Sequence, residues 1–234
     1  MRKVIKYNKK IFVVEGVCNA GKTSLITHIS HFEKNTLKIP ETNTMVKDFP
    51  NFPTTYEEAR RNEKLILRLE EKKAEIINNA KEQLIFCDRM LPSDIAITFA
   101  YSRVLKLDTL DRLFEDIINK ISQKSSMFCF SNIIYLEVDK RTVEMRNHTK
   151  KLTQDWISER LIEEQLLFYK IFNNCMSCYS ITSIKVDGLT TEEVYQQVQN
   201  IEYRNNLSID HVELIKCYQK LWTLCKNVGS VQYV

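Results

Sequence analysis

The stretch of the chain best equipped for chemistry is Gly16-Val17-Cys18-Asn19-Ala20-Gly21-Lys22-Thr23, followed by Ser24. It fits the pattern G-x-x-x-x-G-K-[ST], in which two glycines let the backbone curl until successive N–H groups point inward at an anion. A helix opening directly after the loop adds its unpaired N-terminal N–H groups to the same cradle. A nucleoside triphosphate is the expected guest. Lys22 would reach its β- and γ-phosphates, and the Thr23 hydroxyl would coordinate the magnesium ion that bridges them. The alternative is a chance match in an unrelated turn. Against it stand the apolar run Ile11-Phe12-Val13-Val14 before the loop, which reads as a buried strand, and the amphipathic helix that Ser24-Leu25-Ile26 begins after it.

The elements that must position this loop alternate along the chain. Residues 11–15 form the first predicted strand and Thr23 to about Phe32 the first helix; Thr36 to Pro40 is a second short strand ending at Glu41. After a loop holding Pro50 and Pro53, a long helix is expected from Tyr56 or Glu57 to about Glu82, capped by Thr54 with Glu57 three residues on. Its apolar stripe is Ile66, Leu69, Ile76, Ile77 and Ala80, and its charges read as a solvated face. Leu84 to Cys87 is a strand ending at Asp88-Arg89, with helices after it from Ser93 to Tyr101 and, capped by Asp108, to about Lys124. Asn132–Val138 and Ser180–Val186 are two further strands. Charged helical segments from Arg141 to about Phe172 separate them, and a Thr190-x-x-Glu193 capping box opens a helix to about Tyr203. Asp210 to Lys226 should add a last helix with Val212, Ile215, Leu221 and Trp222 as its apolar surface. Strands alternating with helices predict an α/β fold, a parallel sheet covered on both faces. At 234 residues one domain is expected, with 205–234 a helical extension that packs on it or on a second subunit in a homodimer.

Composition narrows the function classes. A net charge of +4 without any block of five or six basic residues disfavours nucleic acid as a partner. No segment approaches the roughly 20 apolar residues of a membrane span. Met1-Arg2-Lys3 opens like a signal peptide, but the apolar run that follows stops at Glu15, so a cytoplasmic protein is expected. Seven cysteines in that setting read as reduced thiols, and Cys175-x-x-Cys178, like His28 and His31 on one helical face, reads as structural.

In an open parallel sheet, ligands bind outside the carboxyl ends of the strands. Three polar clusters fall there: the phosphate-binding loop after the first strand, Glu41 after the second and Asp88-Arg89 after the third. With these residues the chain resembles the P-loop nucleoside and nucleoside-monophosphate kinases, especially thymidylate kinases and deoxynucleoside kinases. The resemblance rests on Glu15-Gly16 leading into the loop, Pro40-Glu41, Asp88-Arg89 followed by Ser93 and Ala96, Ile134-Tyr135-Leu136, and Val186-Asp187 before the last capping box; it covers about residues 10–203. It implies a three-layer P-loop kinase fold whose five-stranded parallel sheet has the order 2-3-1-4-5. It also implies ATP and Mg2+ as cofactors, a lid from Arg141 to Trp156 after the fourth strand, carrying Arg146 and Lys150, and Asp94 where some deoxynucleoside kinases read the base. Thymidylate kinases usually have Arg-Glu-Pro where this chain has Pro40-Glu41-Thr42, and deoxynucleoside kinases Glu-Arg-Ser where it has Asp88-Arg89-Met90.

The chemistry so implied is transfer of the γ-phosphoryl group of ATP to a small-molecule nucleoside or nucleotide acceptor. Glu41 would accept a hydroxyl proton or organise magnesium and acceptor, Asp88 would hold the metal with Thr23, and Arg89 would neutralise phosphoryl charge. Each has a plainer alternative: Glu41 a solvated strand-end carboxylate, Asp88 a structural ion-pair partner, Arg146 and Lys150 an exposed helix face. The competing function is an ATP-binding NTPase switch or regulatory module without a small acceptor, in which Asp88 would serve alone as the acid at the strand end.

Overall fold

In the computed structural model, which describes residues 9–50, 52–128, 130–150, 159–203 and 210–228, the apolar run before the phosphate-binding loop forms β1 (Lys10–Glu15). It lies between β3 (Leu84–Asp88) and β4 (Asn132–Glu137), with β2 (Thr36–Ile39) and β5 (Ser180–Lys185) at the edges. The order is β2-β3-β1-β4-β5 and every pairing is parallel. Ile11 to Glu15 are all buried, as expected of a central strand covered on both faces. Pairing in register, Val14 beside Asp88 and Glu15 beside Tyr135, brings the loop after β1 and the polar end of β3 to the same sheet edge.

The helices form two groups. α1 (Lys22–Phe32) packs with α7 (Thr191–Gln199). The other group comprises α2 (Tyr56–Asn79), α3 (Leu91–Val104), α4 (Leu110–Ser122), α6 (Glu159–Cys175) and α8 (His211–Asn227), in which α3 packs on α2, α4 and α6, and α8 on α4 and α6. α5 (Lys140–Lys150) follows β4 and touches α6. One contiguous apolar core runs through the sheet, from Val13 and Val14 through Phe99, Phe168 and Phe172 to Tyr218.

Several boundaries and faces differ from the sequence reading. Thr55, not Thr54, caps α2 by accepting from the Glu58 backbone N–H, while Thr54 is held by the Glu58 carboxylate. The stripe of α2 is also rotated. Leu67, Leu69, Ala74 and Ile77 are buried, Ile76 is exposed, and Glu63, Glu70 and Lys73 are buried rather than solvated. Thr109, not Asp108, precedes α4 without capping it, since its hydroxyl bonds Glu63 instead. α3 starts at Leu91, two residues before Ser93, with Pro92 in its first turn, where a missing N–H costs nothing. α7 has the predicted capping box but stops at Gln199; Tyr203 beyond it turns back to donate to Lys9 O at 2.7 Å and to pack edge-on against Phe12. In α8, Val212 is exposed, and the buried face is Leu214, Cys217, Tyr218, Leu221 and Cys225. No helix of the described residues is long and apolar enough to cross a membrane.

Candidate active site

The loop after β1 is shaped by its glycines. Gly16 has φ 142°, and a Cβ there would lie 2.8 Å from Leu136 O of β4; Gly21, at the start of α1, has φ 101°. Both conformations belong to glycine. Val17, Cys18 and Ala20 are buried and pin the loop to the core, while Asn19, at φ 59°, marks its outward bend. Lys22, the first residue of α1, folds back across the loop and donates to Gly16 O at 2.9 Å and Val17 O at 2.7 Å. Its burial, with the nearby Arg89 charge next in size, lowers its pKa to about 8. Ser24 is exposed in the first turn of α1.

One residue further, the Thr23 hydroxyl donates to Asp88 Oδ2 at 2.5 Å. Asp88 closes β3 and is buried, and its Oδ1 has no hydrogen-bond partner among the described residues. An unpartnered buried carboxylate oxygen is costly unless something else meets it. A hydroxyl beside a carboxylate with a free oxygen is a donor set of the hard kind that Mg2+ takes, the rest of its octahedron coming from water and phosphate. The residues present therefore fit the ion.

Arg89 follows in a left-handed backbone conformation, φ 62°, which is uncommon outside glycine. Its Nε lies 2.8 Å from Glu41 Oε1, an ion pair in which the N–H is not aimed along the contact. Its Nη1 and Nη2 reach Ser93 Oγ at 3.3 Å and Cys18 Sγ at 3.5 Å. Burial alone would weaken its hold on the proton, but Glu41 and other nearby groups outweigh that and raise its pKa, so the guanidinium stays charged. Glu41 is only partly buried and sits just before a 3₁₀ turn, Thr42–Thr44. Glu41 and Arg89, 48 positions apart in the chain, thus meet beside the loop that carries Lys22 and Thr23.

Of the other polar groups of this region, Asp94 is marked by the family resemblance, whereas Glu15, Glu70 and Lys73 escaped the sequence reading as functional candidates. Glu15, fully buried, accepts from the Met90 backbone N–H at 2.9 Å, from Tyr169 at 2.9 Å and from Ser93. Burial raises its pKa against the pull of these donors. A carboxylate ending an otherwise apolar strand was the available signal. Glu70 and Lys73 lie wholly inside the protein, and Glu63, Glu70 and Ile77, spaced by seven, fall on one face of α2, a pattern that a strict stripe count exposes. Asp94, in the first turn of α3, keeps Oδ2 buried without a hydrogen-bond partner, and burial followed by the neighbouring Glu70 pushes its pKa well up.

The lid expected after β4 begins in α5. Arg146 Nη1 donates to Asn19 O at 2.9 Å, and Asn147 accepts from the Asn19 side chain, so α5 meets the loop directly. Arg141 is exposed. The Lys150 side chain and the remainder of the predicted lid, residues 151–156, lie outside the described residues. His28 pairs with Glu192 on α7 at 2.8 Å, and Cys175 and Cys178 are buried, with burial pushing the Cys175 thiol up to about 11.

No protein-family model and no curated protein matches the chain. Solved structures do. A thymidylate kinase from Candida albicans superposes with a TM-score of 0.59 at 15% identity, covering 90% of this chain and 94% of that one. A deoxyadenosine kinase from M. mycoides with bound dCTP gives 0.57 at 19% identity over 81% of this chain and 97% of its own, and the same kinase with bound dATP gives 0.59 at 18% identity over 81% and 97%. The strand order, the loop after β1 and these likenesses together show that the chain has the fold of the P-loop nucleotide and nucleoside kinases.

Proposed function

We propose that the protein is an ATP-dependent phosphotransferase that moves the γ-phosphoryl group to a nucleoside or nucleoside monophosphate. The observation that carries this reading is the convergence of two pairs at one sheet edge: Thr23 with Asp88 at 2.5 Å, and Glu41 with Arg89 at 2.8 Å. A bare NTP hydrolase needs the first pair; the second, held beside it, gives an acceptor hydroxyl or phosphate its own recognition.

In this reading the loop 16–23 cradles the triphosphate through its backbone N–H groups, and Lys22 exchanges the Gly16 and Val17 carbonyls for phosphate oxygens. Thr23 and Asp88 would hold a magnesium ion, which when bound would supply neutralisation of phosphate charge. For a nucleoside, the acceptor oxygen bonds to the γ-phosphorus as the bond to the bridging oxygen breaks, and Glu41 takes the hydroxyl proton. Arg89 fixes Glu41 and faces the transferring group, while Arg146 on α5 shifts from Asn19 O to phosphate and helps exclude water.

The test is ATP turnover by the purified protein with magnesium, alone and then across a panel of nucleosides and monophosphates. ADP formation that depends on one acceptor class supports the kinase. Equal turnover with and without every acceptor would establish the NTPase switch instead.

A further inference from the structure

Beneath the acceptor end, α2 buries a charge pair in positions where its stripe would otherwise carry apolar residues. Glu70 and Lys73 are both fully inside the protein, with Lys73 Nζ 2.9 Å from Glu70 Oε1. Taking two charges out of water is unfavourable, and apolar side chains of the same volume are often at least as stable, so such a pair calls for a reason other than stability.

Its contacts supply one. Glu70 Oε1 also accepts from the Thr42 hydroxyl at 2.7 Å, and Lys73 Nζ also donates to Arg89 O at 3.0 Å. Thr42 is the residue after Glu41, and Arg89 is the residue whose Nε faces Glu41 at 2.8 Å. The contacts therefore close a ring from Glu41 through Thr42, Glu70, Lys73 and Arg89 back to Glu41. It ties the ends of β2 and β3 to one point on α2. The ring also accounts for the backbone of Arg89. At φ 62°, uncommon for a non-glycine residue, Arg89 is held on one side by its N–H to Val14 O at 3.1 Å and on the other by Lys73 at its carbonyl. An ammonium with several donors can grip a carboxylate and a carbonyl at once, which no apolar residue could do.

We propose that Glu70 and Lys73 are a positioning pair that sets Glu41 and Arg89 in register with each other for the acceptor. The assignment rests on the kinase reading of that end. The pair does not touch acceptor or phosphate; it acts through the two groups that do. Its signature is thus a loss in the acceptor-dependent chemical step with donor binding intact.

Removing one partner alone would leave a buried charge unpaired and endanger the fold, so the variant to make is the double apolar one, Glu70→Leu with Lys73→Met. Because small misplacements of reacting groups are expensive, it is expected to lower acceptor-dependent kcat by about tenfold or more, with KM for ATP changed less than about twofold. In a Glu41→Gln background the same double change should lower kcat by a clearly smaller factor than in the wild type, since one of the two groups it positions is already disabled. A folded double variant with wild-type kcat, or one whose effect is undiminished in the Glu41→Gln background, overturns the proposal. If the double variant does not fold, Thr42→Val decides, since it removes only the hydroxyl that links Glu41 to Glu70. A fall in kcat of roughly threefold at constant ATP KM supports the pair, and unchanged kinetics reject it. Failure of the underlying kinase reading would show separately, as acceptor-independent turnover in the unmutated protein, and the positioning role would fall with it.

Discussion

Lys22 is held by two loop carbonyls at 2.9 and 2.7 Å, positions that place its ammonium at the mouth of the loop rather than in solvent. A cation so preorganised needs little rearrangement to meet a triphosphate. Lys22→Ala is expected to leave the fold intact by circular dichroism while lowering kcat/KM by about 10²–10³-fold, the range seen for removal of one electrostatic group from a preorganised site. Full activity in the folded variant would show that phosphate binds elsewhere. Glu41 calls for a different outcome. Because it faces Arg89 and not the loop, Glu41→Gln should slow the chemical step and leave ATP affinity nearly unchanged, which single-turnover kinetics with a separate binding measurement would resolve. A loss confined to ATP affinity would place Glu41 on the donor side.

Among the elements, α8 is anchored to α4 through one carboxylate. Asp111, in the first turn of α4, accepts from Trp222 Nε1 at 2.6 Å and from Lys226 Nζ at 2.9 Å, and Trp222 stacks on Phe114 with 5.9 Å between ring centres. The small burial of Asp111 works to raise its pKa, but the bonds from Lys226 and Trp222 outweigh it and lower the value. A carboxylate whose pKa is depressed by folding adds stability at neutral pH, and that stability is lost as pH falls through the folded value. Asp111→Asn should therefore lower the melting temperature at pH 7, and the gap from wild type should close as the pH is taken below the ordinary aspartate range. Half the side chain is exposed, so the effect is modest and shrinks with added salt. A gap that stays constant across pH would mean that the charge of Asp111 contributes nothing to holding α8. α5 already meets the loop through Arg146 and Asn147. Arg146→Ala should lose turnover more than ATP affinity, since its present partner is the Asn19 carbonyl and its gain comes only when phosphate charge develops.

At the scale of the whole molecule, the proposed ligand site lies where three strand ends and the start of α1 meet, so binding there should stabilise the entire domain. Magnesium and ATP at 100 times the dissociation constant would add about 2.7 kcal/mol, or roughly 5–10 °C in melting temperature for a chain of this size. Scanning calorimetry should show that rise in the wild type and lose it in Lys22→Ala. A rise of equal size in the variant would mean that the triphosphate binds away from the loop.

The local grammar of the chain was enough for the sheet and for the loop after β1. The run Ile11 to Val14, the glycines of the loop and the Thr190-x-x-Glu193 box act within a few residues of one another, and buried parallel strands must be apolar throughout, so their positions are written in consecutive letters. The strand order came with the family resemblance that those motifs carry. The interior of α2 was not legible in the same way. The seven-residue spacing puts Glu63 and Glu70 on one face with Ile77, but nothing local marks charges there as buried; Glu63, Glu70 and Lys73 are buried because partners come from elsewhere: Thr109 for Glu63, Thr42 for Glu70, the Arg89 carbonyl for Lys73. The same holds for Glu15, which is satisfied by Met90, Ser93 and Tyr169. A buried polar group is tolerated only when donors and acceptors converge on it. That convergence joins residues as far apart as Glu15 and Tyr169, so it is decided by tertiary structure, whereas periodicity and turn chemistry belong to the sequence itself.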